Sequence, residues 1–317
     1  MRRALAVAIA LVPLTASAGK HDLVLSRLGE VNGNDVVPQN QAFRSLASEL
    51  GIVIAPKFLS PSDTLGFSGF QFSGEYGFTQ INGDQPFWCA TREGTACAGE
   101  GGKGGGISTF SVMARKGLWF PLPSFELGAG ATKVLDSKLW AAQFYAKFAL
   151  HEGFHDWPIP SVAVRGAVSR MYGSSELDLT VASVDLSISK EIGVGGSAQL
   201  SPYGGWNVLW IVARSEVIDK TPNVDSFENP GDVNMNFAFA EQDNIFRQRF
   251  FAGLKLKYYI FSFTAEGAYA LAGSSSDDRA GTDVDCSDVG PDQQGSCDAT
   301  DLAGSQMSFA GSFSFDF

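Results

Sequence analysis

The last thirteen residues, Ser305 to Phe317, alternate without a break. Met307, Phe309, Gly311, Phe313, Phe315 and Phe317 fall on one side, and Ser308, Ala310, Ser312, Ser314 and Asp316 on the other. Successive side chains of a strand point to opposite faces, so this segment has one greasy face and one small, polar face. The same period recurs at about 65–80, 107–120, 124–135, 139–151, 160–172, 177–190, 193–214, 245–258 and 260–272, which with 305–317 makes ten strands. The fourth sets Trp140, Ala142, Phe144, Ala146, Phe148 and Leu150 against Gln143, Tyr145 and Lys147. The ninth sets Phe261, Phe263, Ala265, Tyr269 and Leu271 against Ser262, Thr264 and Glu266. Long strands keep this alternation when one face is wetted by lipid and the other by a polar interior.

At the other end, Arg2 and Arg3 precede an apolar run, Ala4 to Leu14, and Ala16-Ser17-Ala18 has the small-x-small form of a secretory cleavage site. Residues 1–18 are therefore expected to be a signal peptide, with the mature chain starting at Gly19. That run is too short to span a bilayer, and no later stretch reaches the roughly 20 apolar residues of a membrane helix. A chain with such a leader that closes on an aromatic-ended strand resembles the outer-membrane β-barrels of Gram-negative bacteria. The resemblance implies an all-β fold, a transmembrane antiparallel up-and-down β-barrel in the cell outer membrane. It implies surrounding outer-membrane lipid, and Phe313, Phe315 and Phe317 as the signal read by the barrel-assembly machinery. A secreted or periplasmic β-sandwich or soluble barrel is the alternative.

Without Arg2 and Arg3 the chain carries 21 basic and 34 acidic residues, a net charge near −13, which speaks against nucleic acid as a partner. No linker separates the strands into two domains, so residues 65–317 read as one barrel. Connection lengths support an even strand number, because such barrels place long loops on one side and tight turns on the other. Starting from a periplasmic N-terminus, the connections at 81–106, 136–138, 173–176, 215–244 and 273–304 fall outside. The short ones, Pro121-Leu122-Pro123, Lys190-Glu191-Ile192, Tyr258-Tyr259 and the longer His151 to Pro160, fall inside. Splitting or merging a segment would give twelve or eight strands, and 193–214, with Pro202 inside it, is the weakest assignment.

Residues 19–64 are not barrel-like. Asn40 can cap a short helix in which Phe43, Leu46, Ala47 and Leu50 share a face, and Gly51 can end it, after which Ile52 to Leu59 runs extended. Phe43, Leu46 and Leu50 make this segment either a plug, resembling in a general way the N-terminal hatch of the long-chain fatty-acid transporter family, or a periplasmic segment against the barrel base.

The inward faces of the strands carry Glu75, Arg115, Glu126, Lys147, Arg165, Asp185, Arg247, Arg249, Lys255, Lys257, Glu266 and Asp316. Small residues between them leave room for water, a solute or the helix. Arg247, Arg249, Lys255 and Lys257 form a basic stripe that either guides anions or pairs with Glu266 and neighbouring carboxylates.

Cys89 and Cys97 share the first long loop, and Cys286 and Cys297 the last. Pairing within each loop is the simplest connectivity and needs an oxidising compartment. No C-x-x-C pair suggests a metal. The last loop holds Asp277, Asp278, Asp283, Asp285, Asp288, Asp292, Asp298 and Asp301. Its run from Asp283 begins like a calcium loop, but Asp288 stands where Gly is needed and Gln294 where a bidentate Glu is needed, which leaves a solvated acidic loop. Gly99 to Gly104 is not a phosphate loop, since Cys97 replaces the first Gly and Gly104 the Ser or Thr after Lys103.

No enzyme is expected. Ten strands is also the architecture of the omptin proteases, and outer-membrane enzymes build around a His near the outer rim. Here His151 and His155 are assigned to a periplasmic turn and His21 to the N-terminal segment, so none is expected at that rim. No cofactor motif appears. The leading expectation is a small passive channel or transporter for modest solutes. The alternative is a closed structural or surface-interaction barrel working through its outer loops, and a third reading is a hydrophobic-compound transporter with a hatch. An open lumen favours the first and a filled lumen the second.

Overall fold

A computed structural model describes residues 19–92, 105–119, 124–152, 159–224, 233–275 and 300–317. The chain opens with a 3-10 turn (Leu25–Leu28), a hairpin of β1 (Gly29–Asn32) and β2 (Asp35–Pro38), and the helix α1 (Asn40–Ile54). Seven long strands follow in the first two thirds of the molecule: β3 (Phe70–Gln80), β4 (Gly106–Leu118), β5 (Phe125–Val134), β6 (Trp140–His151), β7 (Ser161–Tyr172), β8 (Leu177–Ser189) and, after the short β9 (Ile192–Val194), β10 (Ala198–Ser215). A small ladder of β11 (Ile218–Asp219) and β12 (Asn236–Phe237) leads to β13 (Gln242–Tyr258), β14 (Phe261–Ala270) and β15 (Gln306–Asp316).

Each long strand pairs antiparallel with its neighbours, β10 pairs with β13, and β15 returns to β3, so ten strands close into a ring without an edge. The seam between β15 and β3 is finished by reciprocal backbone bonds between Phe70 and Phe317, 3.0 and 2.7 Å. Closure satisfies every ladder, which is what a sheet needs if it is to sit in lipid. Polarity is inverted relative to a soluble barrel: Phe263 and Phe309 are each 56% exposed on the outside, whereas Ser73, Thr79 and Ser169 are fully buried on the inside. This is a transmembrane up-and-down β-barrel. Among the described residues no helix is long and apolar enough to cross a membrane.

All ten expected strands are present, with four local differences. The first begins at Phe70 rather than 65, because Gly66 and Ser68 have positive φ, at 70° each, and turn the chain at the barrel base. The segment 193–214 is two elements, parted by Gly195 and Gly196 with φ of 61° and 78°. Pro202 is tolerated in β10 because its carbonyl accepts from Lys190 N–H in the gap between β8 and β9; the missing N–H faces the same gap, where no ladder donor is required.

The third difference is in α1, which is longer than expected. Its N-cap is Gln39, the Asn40 side chain instead accepts from Ala240 N–H, and Gly51 lies inside the helix. A Cβ on Gly51 would stand 2.5 Å from Ile211, so this glycine permits close approach to β10 and does not end the helix. Pro56, which disfavours helix in the residue before it, ends α1 instead, so Ile52, Val53 and Ile54 are helical and not extended. The fourth difference is the place of the N-terminal segment. Gly19 and His21 lie against the β5–β6 turn at Asp136, and α1 packs on β10, β13, β8 and β3, so residues 19–54 sit at the long-loop end and not below the barrel.

Candidate functional site

The upper lumen is a hydrophobic core. Phe43, Leu46 and Leu50, the three residues singled out on the helix face, are buried at 0–1% exposure against inward residues such as Ile107, Leu179, Leu209, Ile211 and Ile245. Phe43 also stacks on Phe239, with ring centroids 4.5 Å apart. The polar side of α1 is tied with equal care. Arg44 donates to Gln242 and Asn244 at 2.8 and 2.6 Å. Glu49, fully buried, accepts from Asn82 N–H, Trp88 Nε1–H and Gly304 N–H. One carboxylate thus fastens both the first and the last long connections to the helix, where an unpaired buried charge would be costly.

Below the helix, residues 55–65 run down the lumen as a strap, and the wall bonds to its backbone from all round. Ile54 C=O accepts from Gln143 and Ser169, at 3.0 and 2.9 Å. Pro56 C=O accepts from Arg249, Lys57 C=O from Arg165 and Leu59 C=O from Arg115, at 2.9–3.0 Å. Lys147 donates to Ser60 Oγ, Pro61 C=O and Asp63 C=O. Glu266 accepts from Phe58 and Leu59 N–H and from the Tyr203 hydroxyl. Lower down, Glu152 takes Thr64 N–H at 2.7 Å and Glu126 takes Leu65 N–H at 3.1 Å. An extended segment has no internal partners for its backbone groups, and inside a low-dielectric ring each must be satisfied by the wall.

The inward charges are accordingly paired or spent on the strap. Arg115 meets Glu75 at 2.8 Å, Lys147 meets Glu126 at 3.2 Å and Arg165 meets Asp185 at 2.9 Å, all nearly fully buried. Arg247 donates to Ser48, Leu271 C=O and Gly304 C=O. Lys255 and Lys257 share Asp316, at 3.0 and 3.7 Å, and only Lys257 has a side chain exposed at the base. Phe58 stacks on Phe251 at 3.5 Å between centroids and carries the guanidiniums of Arg165 and Arg249 at 4.3 and 4.9 Å. Beside it lies a cavity of about 10 Å³, roughly one water in size. The basic stripe of Arg247, Arg249, Lys255 and Lys257 therefore runs past a filled interior.

Residue type and period placed these wall side chains inward, but nothing in the sequence told that the strap's own carbonyls would be their partners. Glu49, Glu152 and Tyr203 are further parts of the site; the first two lie outside the alternating segments, so period two gives no sign of them. His21 corrects an expectation: it is buried at the long-loop rim, beside Asp136, because the N-terminal segment enters from that side. His151 is exposed at the short-turn end, and His155 lies outside the described residues. Cys89 is fully buried, while Cys97, Cys286, Cys297, the glycine cluster and all of the acidic loop except Asp301 lie outside them too. Burial holds the Asp301 carboxyl above the usual aspartate range despite the bond from Ala303 N–H and the nearby Arg247. Burial likewise lowers the Lys220 ammonium, which donates to Ser26 and Gly29 C=O. Among the described residues no group of His, Cys, Asp and Glu could hold a metal.

No protein-family model matches the chain, and no curated sequence does. Solved structures with some likeness include Neisserial surface protein A, 9% identical over 78% of this chain and 95% of that one, TM-score 0.28. The attachment invasion locus protein Ail of Yersinia pestis is 9% identical over 79% and 99%, TM-score 0.25. A Pseudomonas aeruginosa FadL homologue is 10% identical over 79% and 89%, TM-score 0.19. Likeness at this level fixes no function.

Proposed function

We propose that this chain is a Gram-negative outer-membrane barrel held shut by its own N-terminal segment, and that it acts through its long-loop face rather than by conducting solutes. The observation that carries this is the strap: six wall side chains, from β4, β6, β7 and β13, hold its carbonyls between Ile54 and Asp63. The apolar exterior supports a lipid surround for the barrel. Export by residues 1–18, recognition of Phe313, Phe315 and Phe317 during assembly, and pairing of Cys89 with Cys97 and of Cys286 with Cys297 complete the reading. It makes no use of catalysis.

The test is conductance of residues 19–317 in a planar bilayer, with folding confirmed by heat-modifiable gel mobility. Silence is expected, and steady ohmic steps from the folded chain would overturn the reading. Ser62 Oγ lies 3.0 Å from Ser187 Oγ, so a Ser62→Cys, Ser187→Cys pair can lock the strap to β8. Steps that appear only when this pair is reduced would make the strap a gate and return the protein to the channels.

A further inference from the structure

At the long-loop end, over β5, β6 and β7, the rim has an unusual charge for so acidic a chain. Lys133 faces outward near the end of β5, Lys138 lies in the β5–β6 turn, and Arg92, from the first long connection, lines the same rim cavity as Lys138; all three are exposed. None has an ion-pair partner among the described residues. By contrast Arg170 and Arg214, the other outward cations of the strands at this end, are tied to Asp178 and Glu241, at 2.7 and 3.4 Å. Lys133 is directly opposite Trp140, which is opposite Tyr172, and these two rings stack at 4.6 Å on the outside of the wall. Above the rings a polar cavity of about 140 Å³ opens at the rim, lined by Asp22, Arg92, Lys138, Ser174, Ser175 and Glu176. Its carboxylates already serve the fold: Asp22 accepts from Lys138 N–H at 2.6 Å and Glu176 from Leu25 N–H at 2.6 Å.

We infer that this rim seats the phosphate-bearing sugar headgroup of an outer-leaflet lipid. Aromatic residues of barrels lie at the headgroup level, so the Trp140–Tyr172 pair marks the height of the interface, with Lys133 on it and Lys138 and Arg92 just above. Unpaired cations at that height meet phosphate, the serine hydroxyls and the free lone pairs of Glu176 meet sugar hydroxyls, and the wall below the rings meets acyl chains. A free anion would use the cavity alone and leave Lys133 and the ring pair without a role. The inference rests on the outer-membrane reading above.

The experiment is native mass spectrometry of the full mature chain released from nanodiscs containing diphosphorylated lipid A, its dephosphorylated form, or phosphatidylglycerol. The wild-type protein is expected to retain the diphosphorylated lipid at least tenfold better than the dephosphorylated one. Each cation near a charged interface is worth about fivefold, so Arg92→Gln, Lys133→Gln, Lys138→Gln together should lower retention by roughly a hundredfold. Lys116→Gln, an outward cation at the opposite end of β4, should leave it unchanged. Equal retention of both lipid A forms, or an equal loss in Lys116→Gln, overturns the proposal. Displacement by millimolar inorganic phosphate reassigns the rim to a free anion and also overturns it. A chain that inserts into no bilayer defeats the membrane reading itself, which separates that failure from a folded barrel that merely fails to discriminate.

Discussion

Arg115 illustrates what a buried charge does in this molecule. Its guanidinium holds Glu75 and Gln71 of β3 and the carbonyl of Leu59 on the strap, so it joins wall to wall and wall to strap. Replacing it by Met strands the Glu75 carboxylate, and breaking such a pair costs about 3–5 kcal/mol. The expected result is a large fall in the urea midpoint for unfolding of Arg115→Met, most of which Glu75→Gln restores in the double variant. Asp301 makes the opposite case. Its folded pKa is raised by burial, so the folded state binds more protons than the unfolded one just above the ordinary value of 3.8, and stability falls as pH rises through that window. Asp301→Asn should therefore be more stable than wild type at neutral pH. The gap should close on acidification towards pH 3.8, and a gap independent of pH would show that charge is not the cause.

Among the elements, the strap packs one ring into the wall. Phe58 fills the space between Phe251, Arg165 and Arg249, and Phe58→Ala leaves a cavity where ring and cations had met. A loss of about 3–5 kcal/mol is expected, with the bilayer still silent because the backbone bonds to Arg115, Arg165 and Lys147 remain. Conductance in this variant would mean the side chain alone closes the barrel. The ten strands were legible because period two survives any tertiary context that wets two faces differently, and Trp140 to Leu150 showed it plainly. The strap was not, because residues 55–65 have no period at all; an extended chain bonded only to side chains leaves no pattern in its own residues. Gly51 misled for a related reason, since a glycine that ends a helix and one that lets a helix touch a strand look alike until Ile211 is seen beside it. The period gives the charged residues of the strands a face, but whether that face borders water or backbone depends on that same unpatterned segment.

For the molecule as a whole, the two ends of the barrel are open to a direct test of orientation. An epitope inserted at Gly33-Asn34, in the β1–β2 turn, lies at the long-loop end, and one at Gly195-Gly196 at the short-turn end. On intact cells antibody should reach only the first, and the second should require permeabilisation; the reverse pattern would invert the protein in its membrane. Reduction of the proposed Cys89–Cys97 and Cys286–Cys297 pairs should leave the heat-modifiable mobility of the ring in place, since its ladder closes through β10–β13 and β15–β3 without them. The strap, finally, is continuous with β3, and β3 is one side of the seam that Phe70 and Phe317 complete. Residues 55–65 therefore lie along the axis when β15 closes on β3. The sheet is then wound around its own beginning, and a cylinder that closes at this seam has never been hollow.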